Sequence, residues 1–171
     1  MKNKVIFVFI LIAVIFIFIP FIPAFSFTET RTDSPVSYYL LINEENNFQI
    51  VFTHTIHKTD VIENYQIMDS EILLQSMEYS DVAIGMPSYA EKGQTLIYKE
   101  GTYTLSNDEP VVLPHFTLFI GDVKDKLYFK YGLKKYDLKE KLKKGKSYKV
   151  EVKKLSLVEV MKGVNLNERK P

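Results

Sequence analysis

Two neighbouring stretches of the chain alternate hydrophobic and polar positions with a period of two. Across 48–56, Phe48, Ile50, Phe52, His54 and Ile56 share one face, and Gln49, Val51, Thr53 and Thr55 share the other. Across 61–67, Val61, Glu63, Tyr65 and Ile67 lie opposite Ile62, Asn64 and Gln66. Successive side chains of a strand point to opposite faces of its sheet, so this spacing predicts two strands with one face each in a core. Shorter runs predict further strands over 38–42, 72–79, 95–98, 102–105, 116–120, 127–131, 147–153 and 155–161. The stretch DLKEKLKKG, 137–145, predicts one short helix, with Asp137 able to cap its first turn and Gly145 able to end it. Many short strands at close intervals predict a mainly β fold, an antiparallel β-sandwich or small barrel.

The first segment breaks the alternation. After Lys2 and Lys4 comes an uncharged run of 23 residues, 5–27. As a helix it would extend about 34 Å, enough for a bilayer core of about 30 Å. The lysines favour a cytoplasmic N-terminus and an external remainder. The expectation is an N-terminal transmembrane helix and a single-pass protein of the cell membrane, its C-terminal domain outside the cytoplasm. The alternative is a signal peptide cut after Ala24-Phe25-Ser26, a small-x-small site, with secretion. The expected organisation is anchor or signal peptide 1–27, polar tether 28–37, extracytoplasmic β domain 38–164 and C-terminal tail 165–171.

Composition narrows the chemistry. Hydrophobic residues make up 46% of the chain and charged residues 25%, which suits an ordered domain. The 12 Phe and 11 Tyr favour strands. There is no cysteine, which excludes disulfides, thiolate metal sites, a cysteine nucleophile and a lipidated cysteine. A net charge of +1 gives no electrostatic reason to expect nucleic acid. No metalloprotease, phosphate-loop, nucleophile-elbow or dinucleotide-binding motif occurs, so no cofactor is expected and an enzymatic role lacks support.

The candidate chemistry sits in the first two strands. A two-residue turn at Lys58-Thr59 would pair Ile56 with Val61, His54 with Glu63, Phe52 with Tyr65 and Ile50 with Ile67. His54 and Glu63 would then meet on an otherwise apolar face, where each needs a polar partner. Two readings stand: a polar clasp that fixes the register, or a ligand or metal site. His54 and His57, three apart, face opposite sides of a strand, which argues against a metal pair; no metal is expected. A second stretch, YSDVAIGMPSYAEKG (79–93), carries apolar residues into a loop, with Gly85, Met86 and Pro87 as a candidate contact surface. The alternative is a loop folded back over the end of the sandwich.

Together these stretches resemble an uncharacterised family, domain of unknown function 1850. Phe52, His54, Val61, Glu63 and Tyr65 match its first motif, with Thr55 where serine is usual and Asp60 where proline is usual. Gly85, Met86 and Pro87 match its second motif, with Ala83 and Ile84 in place of Gly-Ala. LKKGKSYKVEV looks like the family's closing strand, so the resemblance covers about 46–152. It implies a small exported or anchored domain, an accessory or binding module, beside a tripartite ATP-independent (TRAP) transporter of the TAXI type. The expected partners are the membrane and a transporter subunit.

Overall fold

The computed structural model describes residues 2–82 and 85–168. Two sheets carry the fold. The larger has seven strands in the order β10-β9-β3-β4-β5-β7-β6, and the smaller has five in the order β12-β2-β1-β11-β8. In chain order these are β1 (Ile22–Glu29), β2 (Ser37–Leu41), β3 (Asn47–Thr53), β4 (Asp60–Met68), β5 (Glu71–Tyr79), β6 (Gln94–Lys99), β7 (Thr102–Leu113), β8 (Phe116–Phe119), β9 (Leu127–Tyr131), β10 (Lys134–Asp137), β11 (Ser147–Leu155) and β12 (Val164–Asn165). All pairings are antiparallel except β12 with β2. The fold is mainly β, as the alternation predicts.

The N-terminal segment departs from expectation. The helix α1 (Lys2–Phe16) is 15 residues long, and among the described residues no helix is long and apolar enough to cross a membrane. The helix stops four residues before Pro20, and Pro23 lies inside β1. The chain then enters β1, which pairs on both sides, with β2 and β11. Phe25 and Phe27 point into the main core, and Ala24 packs on the other face with Tyr39 and Leu155. A strand buried on both faces reads as a continuous apolar run, and periodicity does not separate it from a membrane span. The domain therefore begins at Ile22 rather than at 38, and 28–37 is no tether, since Thr28, Glu29 and Ser37 lie in strands.

Three smaller departures follow the same pattern of tertiary context overriding local signal. The stretch 155–161, expected as a strand, instead holds helix α3 (Leu157–Lys162). Its start is a capping box, in which the Ser156 hydroxyl accepts from Glu159 N–H and the Glu159 carboxylate accepts from Ser156 N–H. The helix α2 (Leu138–Lys141) is capped by Asp137 as expected but stops well before Gly145, whose N–H instead bonds the Ile120 carbonyl. The start of the expected tail is docked: Leu166 is fully buried, and its N–H donates to the Tyr39 carbonyl at 2.9 Å. Residues 169–171 of that tail lie outside the described residues.

Aromatic rings fill the space between the sheets. Phe129 on β9 sits within ring-contact distance of Phe25 (4.9 Å), Phe48 (5.2 Å), Phe27 (5.5 Å), Tyr136 (6.3 Å) and Tyr131 (6.5 Å). Edge-to-face and offset pairs of this kind add to the burial of their area. These contacts also set polarity. Phe25 meets Phe48, while Phe27 meets Phe129, which stands opposite Ile50. β1 and β3 thus run the same way, so Ile22 and Asn47 mark one end of the sandwich, its base, and Glu29 and Thr53 mark the other.

Candidate functional site

The β3–β4 hairpin forms in a different register from the expected one. Phe52 lies opposite Val61, Ile50 opposite Glu63 and Phe48 opposite Tyr65, a shift of four positions. Lys58-Thr59 does not make a tight turn. Residues 54–59 form a wider loop in which His54 N–H donates to the Thr59 carbonyl (2.8 Å) and Lys58 N–H to the His54 carbonyl (3.0 Å). Lys58 takes a positive φ of 56° to close it. An even shift leaves every residue on its face. Phe52, Glu63 and Tyr65 therefore still point inward, but His54 has left the strand and does not meet Glu63.

Tyr65 takes the place expected of His54. Its phenol donates to Glu63 Oε2 at 2.8 Å. The two residues are two apart on β4, so a strand places them on the same face, a signal the sequence carried. Glu63 is flanked across the sheet by Ile50 and Met77, both apolar. Burial pushes its carboxyl above the ordinary range, and the Tyr65 hydrogen bond offsets part of that. Burial, together with the neighbouring Glu63, drives the Tyr65 phenol well above its usual value.

Glu63 and Tyr65 line a cleft of about 620 Å³ between the larger sheet and β8. Phe52, Phe116 and Leu118 supply apolar wall, and Tyr65 stacks on Phe116 at 5.5 Å. Lys126 and Lys139 stand at its rim with Asp125. Lys126 pairs with Asp60 at 2.9 Å and holds that carboxyl below the usual range. Asp125 pairs with Lys58 at 3.1 Å, and Lys139 Nζ donates to the Val123 carbonyl at 2.8 Å. The rim residues arrive from β8–β9 and α2, more than fifty positions from Glu63, and no local spacing announces them. The chemistry available is that of a mostly apolar recess with one carboxyl in its wall and cations at its lip.

The remaining candidates lie elsewhere. His57 Nδ1 is 2.7 Å from Asp81 Oδ2, which ties the 54–59 loop to the loop after β5. His54 Nδ1 accepts weakly from His57 N–H at 3.4 Å, and Thr55 is exposed beside the cleft. Among the described residues no group of three or more His, Asp or Glu is placed to hold a metal ion. His115 is exposed in the two-residue link between β7 and β8, away from the other histidines.

The loop after β5 folds back over the end of the larger sheet. Met86 is half-buried against a second cluster built on Val61, Tyr79 and Leu105. The Tyr79 phenol donates to the Pro87 carbonyl at 2.7 Å, and Gly85 takes a positive φ of 90°. Ala83 and Ile84 lie outside the described residues. The outward apolar side chains of the described loop are Val82 and Tyr89 rather than Met86. Met86→Asp is accordingly expected to destabilise the fold by about 2 kcal/mol, read as a lower urea midpoint at unchanged slope.

Fold and site together define a β-sandwich domain with an apolar cleft between its sheets. Residues 48–138, a little over half of the chain, match the family described as Domain of unknown function (DUF1850). The chain belongs to that family. No curated protein and no solved structure matches the chain. The matched residues hold β3–β10 apart from Asn47, and so nearly all of the larger sheet, but β1, β2, β11 and β12 of the smaller sheet fall outside them.

Proposed function

We propose that this protein is a binding domain held at the outer face of the cell membrane by α1, with its cleft open to an apolar small molecule that carries a hydrogen-bond donor. The observation that carries this reading is the Glu63 carboxyl in the apolar wall of the cleft, with Tyr65 occupying Oε2 and Oε1 left to a ligand. α1 supports the membrane part: Ile6, Phe7, Phe9 and Leu11 are exposed on it, and exposed apolar surface of that extent calls for lipid or protein cover. The proposed setting is beside a TRAP-type transporter of the TAXI kind, where a cleft of this chemistry would serve solute capture or hand-over. Crosslinking in native membranes is expected to recover a transporter subunit with the full-length protein, and a clean, partnerless protein would remove that part of the reading.

N-Phenylnaphthylamine, an apolar probe with one N–H donor, tests the cleft. Its emission is expected to rise on binding the wild type. Val123→Arg, at an exposed rim position, is expected to block that rise at unchanged melting temperature. Glu63→Gln is expected to weaken binding about tenfold, since a hydrogen bond to a charged group contributes roughly 1.5–3 kcal/mol. Equal binding by all three proteins would overturn the assignment.

The same variant has a signature in stability. The folded-state pKa of Glu63 stands above its unfolded value, so the folded state binds the proton more tightly. The contribution of this group is complete below the unfolded pKa and is lost as pH rises through the folded pKa. Gln has no such dependence. Glu63→Gln is expected to match the wild type at acid pH and to exceed it at neutral pH, measured by thermal unfolding at both. A neutral-pH loss of stability would make the pair a structural clasp.

A further inference from the structure

We propose that the base of the domain docks on an anionic lipid surface through Met161, Lys154 and Lys162, an inference that rests on α1 being the membrane anchor. The chain itself fixes the base next to the anchor. The Ile17 carbonyl, one residue past α1, accepts from Val158 N–H of α3 at 3.3 Å, and Phe21 N–H donates to the Leu155 carbonyl at 3.1 Å. Wherever the end of α1 lies, the start of α3 lies beside it.

The surface around that junction has the composition of a membrane-facing patch. Phe18, Ile19, Phe21 and Leu41 are exposed there, and Met161 is 72% exposed on α3. Lys154 and Lys162 are exposed and have no carboxylate partner among the described residues. The local carboxylate, Glu159, is already engaged by Ser156 and by Lys153 at 3.1 Å. Two cations without a carboxylate partner, Lys154 near the end of β11 and Lys162 on α3, thus share the base of the domain with the exposed Met161 thioether.

The length of α1 strengthens the argument. Its 15 residues extend about 22 Å, short of a hydrocarbon core of about 30 Å. A short apolar segment draws its flanks into the interface, which would bring Phe18, Ile19 and Met161 to headgroup depth. Each lysine near an anionic surface then raises affinity about fivefold, so the pair contributes roughly thirtyfold.

The chain has no cysteine, so single-cysteine spin labels report without background. The full-length protein is labelled in turn through Phe9→Cys, Met161→Cys and Tyr89→Cys and placed in vesicles of phosphatidylglycerol and phosphatidylcholine in equal parts. The expected result is lipid-like accessibility to oxygen at positions 9 and 161 and water-like accessibility at 89. Adding Lys154→Gln and Lys162→Gln is expected to cut the docked population about thirtyfold and move the 161 label into water, with position 9 unchanged. A label at 161 in water while that at 9 is in lipid overturns the docking and leaves the anchor standing. A label at 9 in water overturns both. A 161 label equally immersed in pure phosphatidylcholine overturns the recognition of anionic lipid. Shielding of 161 in native membranes but not in vesicles overturns it in favour of a protein partner.

Discussion

A chain that begins at Phe27 is expected not to fold, whereas one that begins at Phe21 is expected to fold. Cutting after Ser26 removes five of the eight residues of β1. It takes away the ladder from Ala24 to Leu41 and from Ile22 to Leu155, splitting β2 from β11 over half their length. It also removes Phe25, which is fully buried and packs its ring against Phe48 at 5.0 Å, Phe129 at 4.9 Å and Tyr131 at 5.1 Å. Loss of a buried Phe side chain alone costs about 3–5 kcal/mol. With the broken ladder the total approaches the whole stability of an ordinary domain, about 5–15 kcal/mol. Far-ultraviolet circular dichroism with urea unfolding separates the two chains: a cooperative transition in the longer, none in the shorter. The mass of the protein isolated from native membranes is expected to retain the segment through Ser26. A cooperative fold in the shorter chain would show that β1 is dispensable.

Phe129→Ala is expected to lower stability by about 3–5 kcal/mol, the range for truncating a fully buried aromatic side chain. The site favours the upper part of that range. Phe129 is fully buried, and its ring touches partners from both sheets, Phe25 and Phe27 on one side and Phe48, Tyr131 and Tyr136 on the other. Rigid rings on five sides do not collapse readily into the space left. For a domain of this size the loss corresponds to a fall in melting temperature of roughly 10 °C or more. Phe129→Leu, which keeps most of the volume, is expected to recover much of it. A fall of only a degree or two in the alanine variant would mean that the ring cluster is not the keystone of the sandwich.

The sequence spoke clearly where one face of a strand is wet. β3, β4, β9 and β11 alternate, and each was legible within a few residues. It spoke misleadingly where both faces are dry. β1 carries no charge before Glu29, its Ser26 is buried with Ala24 on the face away from Phe25 and Phe27, and its uncharged run merges with that of α1. Local chemistry settled the cap of α2 at Asp137. At α3 the Ser156 to Glu159 spacing was present, but the apolar run through Met161 read as a strand. The candidate site was half legible. Glu63 was singled out by its place among apolar neighbours, and Phe52 and Tyr65 share its face. The partner was misassigned to His54, because register depends on loop geometry. A positive φ at Lys58 is not written in the residue itself. The cleft's other wall comes from β8 and the loop after it, which only the crossover between sheets brings near.

The direct passage from α1 into β1 has a consequence for search and encounter. A polar tether of ten residues would let the domain wander by roughly 17 Å about its anchor point. Five residues that are partly hydrogen-bonded to α3 and β11 leave far less play. β1 spans about 26 Å, and the cleft's lip at Thr53 and Lys126 lies toward its far end. With α1 as the proposed anchor, the lip would be held at a nearly constant height above the bilayer, and diffusion would be confined to the plane and to rotation about the membrane normal. For a partner fixed in the same membrane at that height, this confinement raises the effective concentration without any new contact. For a partner whose opening lies at another height it would lower that concentration toward zero, so under the proposed anchoring the length of one strand would act as a selector of neighbours.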